Sequence, residues 1–475
     1  MGRFLFIQDN GVNESLGVMS IAGALRSGGH EVDLILTDEH PKNYLDLIDQ
    51  YNPDLIGFSF MTGNRRWAFK ITKEIKKKLN KPIVFGGVHP TLFPEDIDFS
   101  YVDYICIGEG EYPVLDLMNA IENGNNCSKI QNLWVSKNGS VIKNPLRDLI
   151  QDFDSLPLPY REIYYKYKFI RDLPIKRFVS GIGCPYRCTF CHNPMQIKMY
   201  KGKGKFVRKK SMDRVIKEVS HVKDRFVLKR VHFSDDTFTL DEKWLMKFLE
   251  AYQKEINLPF SCNIRIDQVN EDIVREMYES GCWGIAFGIE SGSERIRNGL
   301  LKKNLKEEDI ITNSKIIKKY GIKIRTTNLM GLPEETLEDA FKTIEINQKI
   351  HVDYTGANVL VPYPKTEIVD YAIEHGLLPT DYSIHSFDQV LRKALIKSPY
   401  MREFENLCAL FNLTVKFPFL TPLTRRFIRF PFPKLFSFLR LWEALENMLY
   451  HQLFNFAGFR YFLHIIRNVV RDVWS

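Results

Sequence analysis

Short apolar runs alternate with longer stretches of helical spacing through residues 1–130. RFLFIQ, EVDLILT, DLIGFSF, PIVFGG and YICIG have the length and the β-branched and aromatic content of buried strands. Ser15 to Ser27, stopped by Gly28-Gly29, then YLDLIDQY and RRWAFKITKEIKKKL repeat their apolar residues at helical intervals. Strands separated by helices in this way predict a doubly wound parallel sheet. Such sheets take ligands beyond the carboxyl ends of their strands. The turns there are Gln8 to Leu16, Ser59 to Asn64, Gly86 to Pro90 and Gly108 to Glu111, all rich in Gly, Ser, Thr or Asn. No G-x-G-x-x-G follows the first strand, which removes a nicotinamide or flavin fingerprint.

The pattern breaks over residues 131–175, read as a linker with a hairpin around Asn138-Gly139 and a proline-punctuated connector, LPLPYREIYY. It resumes over 176–375. RFVSGIG, RVHFSDD, FSCNIRI, GIAFGIE, KIRTTNLMG and YTGANVLVPYP are strands, with helices such as SMDRVIKEVSHVKD and TLEDAFKTIEINQKI between them. Six such units predict a partial (β/α)6 barrel of the TIM type, whose chemistry lies at the carboxyl ends of the strands. Residues 376–475 are crowded with Phe, Tyr, Trp, Arg and Lys, and from Leu435 the spacing is helical. The expected fold is therefore α/β, with two parallel sheets in series and a helical C-terminal region.

Bulk properties narrow this little. The 475 residues are 44% hydrophobic and 26% charged, ordinary for a folded protein of several domains. A net charge of +8 is mild for the length and gives no argument for nucleic acid. Eight cysteines make no disulfide framework. The N-terminus reads as a strand and not a signal peptide, and it fails the myristoylation pattern. No apolar window is long enough to span a bilayer. A cytoplasmic, reducing setting is the expectation.

The chemistry gathers at GIGCPYRCTFCHNP, where Cys184, Cys188 and Cys191 form C-x3-C-x2-C. A structural zinc site would need a fourth Cys or His, and His192 is awkwardly adjacent to Cys191. A 4Fe-4S cluster with three thiolate irons leaves the fourth iron open. This spacing, with Phe190 before the third cysteine and the first barrel strand ahead of it, resembles the radical S-adenosylmethionine superfamily. Later segments resemble that family too. HFSDDTFTLD carries Asp235 and Asp236, the positions that meet the methionine amino group. FSCNIRID carries Asn263 and Arg265, the latter toward the methionine carboxylate or ribose. FGIESGS carries Glu290 and Ser291 near the ribose, and MGLPEET and VPYPKTE are adenine-side loops. Arg265 and Glu290 are the candidate catalytic residues. The other reading of Asp235 and Asp236 is an N-cap for the next helix, a role that Asp241 already fills before EKWL.

A doubly wound domain ahead of such a barrel resembles the Rossmann-like domain of the cobalamin-binding radical enzymes, a family that includes class B methyltransferases, hopanoid methylases and the anaerobic cyclase of bacteriochlorophyll synthesis. The cobalt-ligand motif D-x-H-x-x-G is absent, and the matching loop reads QDNGVNESLG. Candidate cobalamin contacts are Asn10, Ser59, Thr62, Gly87, His89, Gly108 and Glu109, with His89 as a loop or tail contact and not an axial ligand. The resemblance implies three cofactors: the cluster, S-adenosylmethionine and cobalamin. It implies reductive cleavage of S-adenosylmethionine and methyl transfer to an unactivated carbon. The basic, aromatic C-terminal region points to an apolar substrate, lipid-like or tetrapyrrole, and to peripheral membrane contact; packing over the open side of the barrel is the other reading. A flavodoxin or ferredoxin would supply electrons. The alternatives are a cobalamin-dependent cyclase or oxidoreductase that transfers no methyl group, and a plain iron-sulfur electron carrier.

Overall fold

The computed structural model describes residues 1–10, 14–137, 139–390 and 395–432, with Leu435, Phe436, Leu439 and Leu463 beyond them. Part of the QDNGVNESLG loop, Asn138 and all but those four residues of the helical spacing read from Leu435 onward lie outside the described residues. The chain forms two compact units, residues 1–171 with 196–214, and residues 172–195 with 215–475.

The first unit is built on a seven-stranded sheet. Its strands are β1 (Arg3–Gln8), β2 (Glu31–Leu36), β3 (Leu55–Ser59), β4 (Ile83–Gly86), β5 (Tyr104–Cys106), β6 (Leu133–Lys137) and β7 (Ser140–Lys143), in the order 2-1-3-4-5-6-7. The first five are parallel, and β6 and β7 add as antiparallel neighbours. The hairpin read as part of a connector thus extends this sheet, with Trp134 of β6 paired to Ile105 of β5. The order places a topological switch between β1 and its neighbours β2 and β3, where such sheets open a crevice. Leu5, Ile7, Ile56, Phe58, Ile83, Phe85 and Ile105 fill the core under the helices.

The second unit is a six-stranded, all-parallel sheet in sequence order. Its strands are β8 (Ile175–Phe178), β9 (Arg230–Phe233), β10 (Phe260–Asn263), β11 (Cys282–Glu290), β12 (Lys323–Met330) and β13 (Tyr354–Val359). The helices between them start on good caps. Asp241 accepts from Trp244 N at 3.0 Å, so the capping role read for it is present. Thr336 and Asp339 make a reciprocal capping box at Leu337–Lys349. The helix Met401–Lys416 lays Phe404, Leu407 and Phe411, all fully buried, against Met330 of β12, Ala357 of β13 and Phe341. Burying each such side chain contributes on the order of 2 kcal/mol. This part of the C-terminal region is therefore core.

Candidate functional site

In the second unit the three cysteines follow β8 on a half-buried loop, none in a disulfide. Two contacts shape the loop: Cys191 N donates to Cys188 O at 3.1 Å, and Asn193 N donates to Cys191 Sγ at 3.4 Å. Burial pushes the Cys188 thiol up, with the Lys303 ammonium and the Arg265 guanidinium pulling it back. Burial takes Cys191 up to about 11, opposed by the Asn193 N–H. Metal binding at these thiols must release protons. Among the described residues no group of three His, Cys, Asp or Glu is set for a single metal ion. Thiolates on separate irons of a cluster stand further apart than ligands to one ion, so three free thiols on one loop fit the cluster's donor set.

The strand-end residues converge around this loop. Asp236 accepts from Asn193 Nδ2 at 3.1 Å, one residue past His192. Asp235 is buried, and Ser180 takes both its oxygens, through N–H at 3.0 Å and Oγ at 2.6 Å. Asn263 Nδ2 donates to Asp235 O at 3.2 Å. Arg265 makes a two-pronged contact with Asp267, at 3.0 and 2.8 Å, and its guanidinium lies 3.8 Å over the ring of Tyr186, inside the cysteine loop. Glu290 ends β11 in the left-handed region, φ 65°, a strained setting for a residue with a side chain. Its carboxylate pairs with Lys303 Nζ at 3.0 Å. Ser291 is fully buried, and its carbonyl accepts from Arg297. Phe190 packs on the apolar cluster of Ile296, Leu332 and Leu360, the last two in the loops after β12 and β13.

Sequence reasoning missed Lys303, Asp267 and Ser180. Lys303 sits in LLKKNLKEED, which reads as the solvated start of a helix. Asp267 follows Arg265 by two residues, and that spacing was the available signal. Ser180 precedes the cysteines by four residues and carries none.

In the first unit a small crevice, open to solvent, runs along the sheet from Phe4, Gly57 and Val84 within the strands to Ser59, Gly87 and Gly108 at their carboxyl ends. Phe6, Phe58, Ser59, Gly86, Gly87, Cys106 and Gly108 are among its walls. A Cβ on Gly86 would meet nothing nearer than 3.8 Å, so it would enter the cavity. Gly87 is at φ +94°, and there a Cβ would strike Phe60 N at 2.8 Å. Glycine at both positions keeps the cleft open and its backbone approachable, which fits the flat, partly apolar end of a large cofactor.

Of the residues expected here, Ser59, Gly87 and Gly108 line the crevice. The others do not. His89 is fully enclosed by Phe60, Phe69 and Phe93, with Nδ1 3.3 Å from Thr62 Oγ1 and Nε2 3.2 Å from Asp96 Oδ2. Burial lowers its pKa, against the pull of Asp96. His89, packed among these rings, and the buried Thr62 it contacts therefore link the loops after β3 and β4 and expose no surface to the crevice. Glu109 is committed to Arg208 at 2.6 Å and to Ile150 N at 2.8 Å. Asn10 N donates to Asp9 Oδ1, and its carbonyl accepts from Gln8 Nε2.

Comparison with known proteins agrees with both halves. A B12 binding domain profile matches residues 2–118, and a radical SAM superfamily profile matches residues 178–346. An uncharacterised methyltransferase of Pyrococcus horikoshii is 31% identical over 374 residues, covering 77% of this chain and 80% of that protein. The anaerobic magnesium-protoporphyrin IX monomethyl ester cyclase of Rubrivivax gelatinosus is 24% identical, with 77% of this chain and 69% of the cyclase covered. The solved radical S-adenosylmethionine methyltransferase TsrM of Kitasatospora setae shares the fold, with a TM-score of 0.66 at 19% identity, over 79% of this chain and 76% of that one.

Proposed function

We propose, for a chain that belongs to the cobalamin-binding radical S-adenosylmethionine methyltransferase family, that it methylates an unactivated carbon of an apolar small molecule. The observation that carries the reading is one chain holding three free thiols at the end of the first strand of a parallel six-stranded sheet and, in its other unit, a glycine-walled crevice at the ends of a doubly wound sheet. Cys184, Cys188 and Cys191 would hold a 4Fe-4S cluster. Asp236, Arg265, Glu290 and the backbone at Ser291 would hold S-adenosylmethionine. The walls at Ser59, Gly86, Gly87 and Gly108 would hold cobalamin. Bound there, these groups supply radical generation and methyl transfer, chemistry that amino-acid side chains lack. The protein's own share is to bind and orient. Arg265 is held rigid by Asp267 and Tyr186. Glu290 is held in place by Lys303 Nζ at 3.0 Å, its carboxylate oxygens placed to accept hydroxyl hydrogen bonds. Phe190 offers an apolar face.

The apolar substrate rests on the C-terminal surface. Phe419, Leu423, Phe430 and Phe432 are exposed, 47–77%, among Arg425, Arg426 and Arg429. Aromatic residues interleaved with arginine suit an anionic membrane surface. Among the described residues no helix is long and apolar enough to cross a membrane. Full-length protein should float with phosphatidylglycerol vesicles, and a variant with all four residues changed to Ser should stay at the bottom of the gradient. Equal flotation would remove the membrane reading. Truncation near residue 405 is a poor test, because it cuts the buried helix Met401–Lys416. The second reading, a cyclase or oxidoreductase without methyl transfer, draws on the Rubrivivax relative. Product mass separates the two.

A further inference from the structure

A buried cation that no motif assigns stands beside the cysteine loop. Lys303 is 8% exposed, and its ammonium pairs with Glu290 at 3.0 Å. The turn that carries it is built around it. Lys302 and Asn304 on either side are left-handed, φ 50° and 51°, conformations that cost on the order of 1 kcal/mol each. Arg297, fully buried, clamps the turn by donating to Leu305 O at 2.7 Å and to Ser291 O at 2.9 Å. A Cβ on Gly288 would fall 1.9 Å from Glu290 Oε1 and 3.0 Å from Lys303 Nζ, so β11 is left bare where the pair lies.

The same turn is the platform of the cysteine loop. Thr189, between Cys188 and Cys191, donates through N to Leu301 O at 3.2 Å and through Oγ1 to Leu300 O at 2.9 Å. Arg265 bridges from the other side, donating to Lys303 O at 2.9 Å while covering Tyr186. A pair serving packing alone would be costly here, since two apolar side chains would fill the space without the desolvation penalty.

We infer that Lys303 is an electrostatic positioning residue of the iron-sulfur site: its ammonium, fixed on the turn that supports the cysteine loop, makes the cluster easier to reduce, and the Glu290 carboxylate opposes it. The inference rests on the cluster assignment above. Net charge around a cluster is one of the levers on its potential, and a positive neighbour favours the more negative, reduced state.

The test is an EPR-monitored redox titration of anaerobically reconstituted full-length protein, with dithionite delivering one electron per cluster and no bond made or broken. Iron and acid-labile sulfide per chain are measured alongside. Lys303→Met should move the midpoint to more negative potential and Glu290→Gln to more positive potential. The double variant should return close to wild type, as should Lys303→Arg. Opposite signs are the signature of charge, since a packing defect would move both single variants the same way. If Lys303→Met fails to hold a cluster, the sign of the Glu290→Gln shift decides. Identical midpoints at full cluster content, or shifts of one sign, would overturn the inference while leaving the cluster in place. Wild-type protein that takes up no iron and sulfide would overturn the cluster assignment and the inference with it.

Discussion

Glu335 lies in the MGLPEET loop after β12, 4% exposed, with one oxygen accepting from Leu332 N at 3.0 Å and the other without a partner. Burial raises its pKa to about 8; the Leu332 and Gly331 N–H groups and Arg295 pull it down, and Asp339 pushes it up. In the unfolded chain the carboxyl ionises near its ordinary 4.5. Below pH 4.5 it is protonated in both states and costs nothing. As pH rises from there toward 8 the unfolded state releases a proton that the folded state retains, so folding is progressively penalised. By pH 7 the penalty, at about 1.36 kcal/mol per pH unit, reaches about 3 kcal/mol. Glu335→Gln keeps an acceptor for Leu332 N and imitates the neutral acid. The variant should melt with the wild type at pH 4.5 and on the order of 5 °C above it at pH 8. Scanning calorimetry or circular dichroism of both proteins, in matched buffers at one scan rate, measures the difference and cancels the other titrating groups. A gap that stays constant from pH 4.5 to 8 would refute the reasoning.

Two further substitutions probe the two proposed cofactor sites, one in each unit. Cys188→Ala should leave the melting temperature within a few degrees of wild type, yet abolish 5′-deoxyadenosine formation by reduced protein supplied with S-adenosylmethionine; retained formation would contradict the cysteine assignment. Gly86→Leu places a side chain into the crevice, where a Cβ meets nothing within 3.8 Å. It should lower cobalamin retained on gel filtration at least tenfold with little change in circular dichroism, and unchanged retention would move the cobalamin site elsewhere.

What the sequence showed and what it hid follow from the range of the forces involved. Both sheets were legible because apolar periodicity is local, and RFLFIQ or GIAFGIE reads as a buried strand without its neighbours. The cysteine loop was legible because its spacing is short. The N-cap at Asp241 was legible for the same reason, since cap and helix are adjacent. Polar partners were not, because tertiary packing chooses them. Asp235 looks like a ligand contact in HFSDDTF, yet its oxygens go to Ser180, 55 residues away. His89 stands in a glycine-rich turn that suits a ligand loop, and only the fold reveals the three phenylalanines around it. Glu290 pairs with Lys303, but nothing in LLKKNLKEED marks Lys303 as that partner and not its neighbours. The hairpin 133–143 was recognised, but its pairing with β5 depends on an edge the sequence does not display.

The central claim is methyl transfer that uses both cobalamin and an iron-sulfur cluster. Its most direct test is mass spectrometry of products from anaerobically purified, cobalamin-loaded protein given dithionite, candidate lipids or tetrapyrroles, and S-adenosylmethionine deuterated in its methyl group. The expected product is heavier by one labelled methyl in place of hydrogen, with S-adenosylhomocysteine released. A product formed by cyclisation or oxidation, with no label gained, would contradict it.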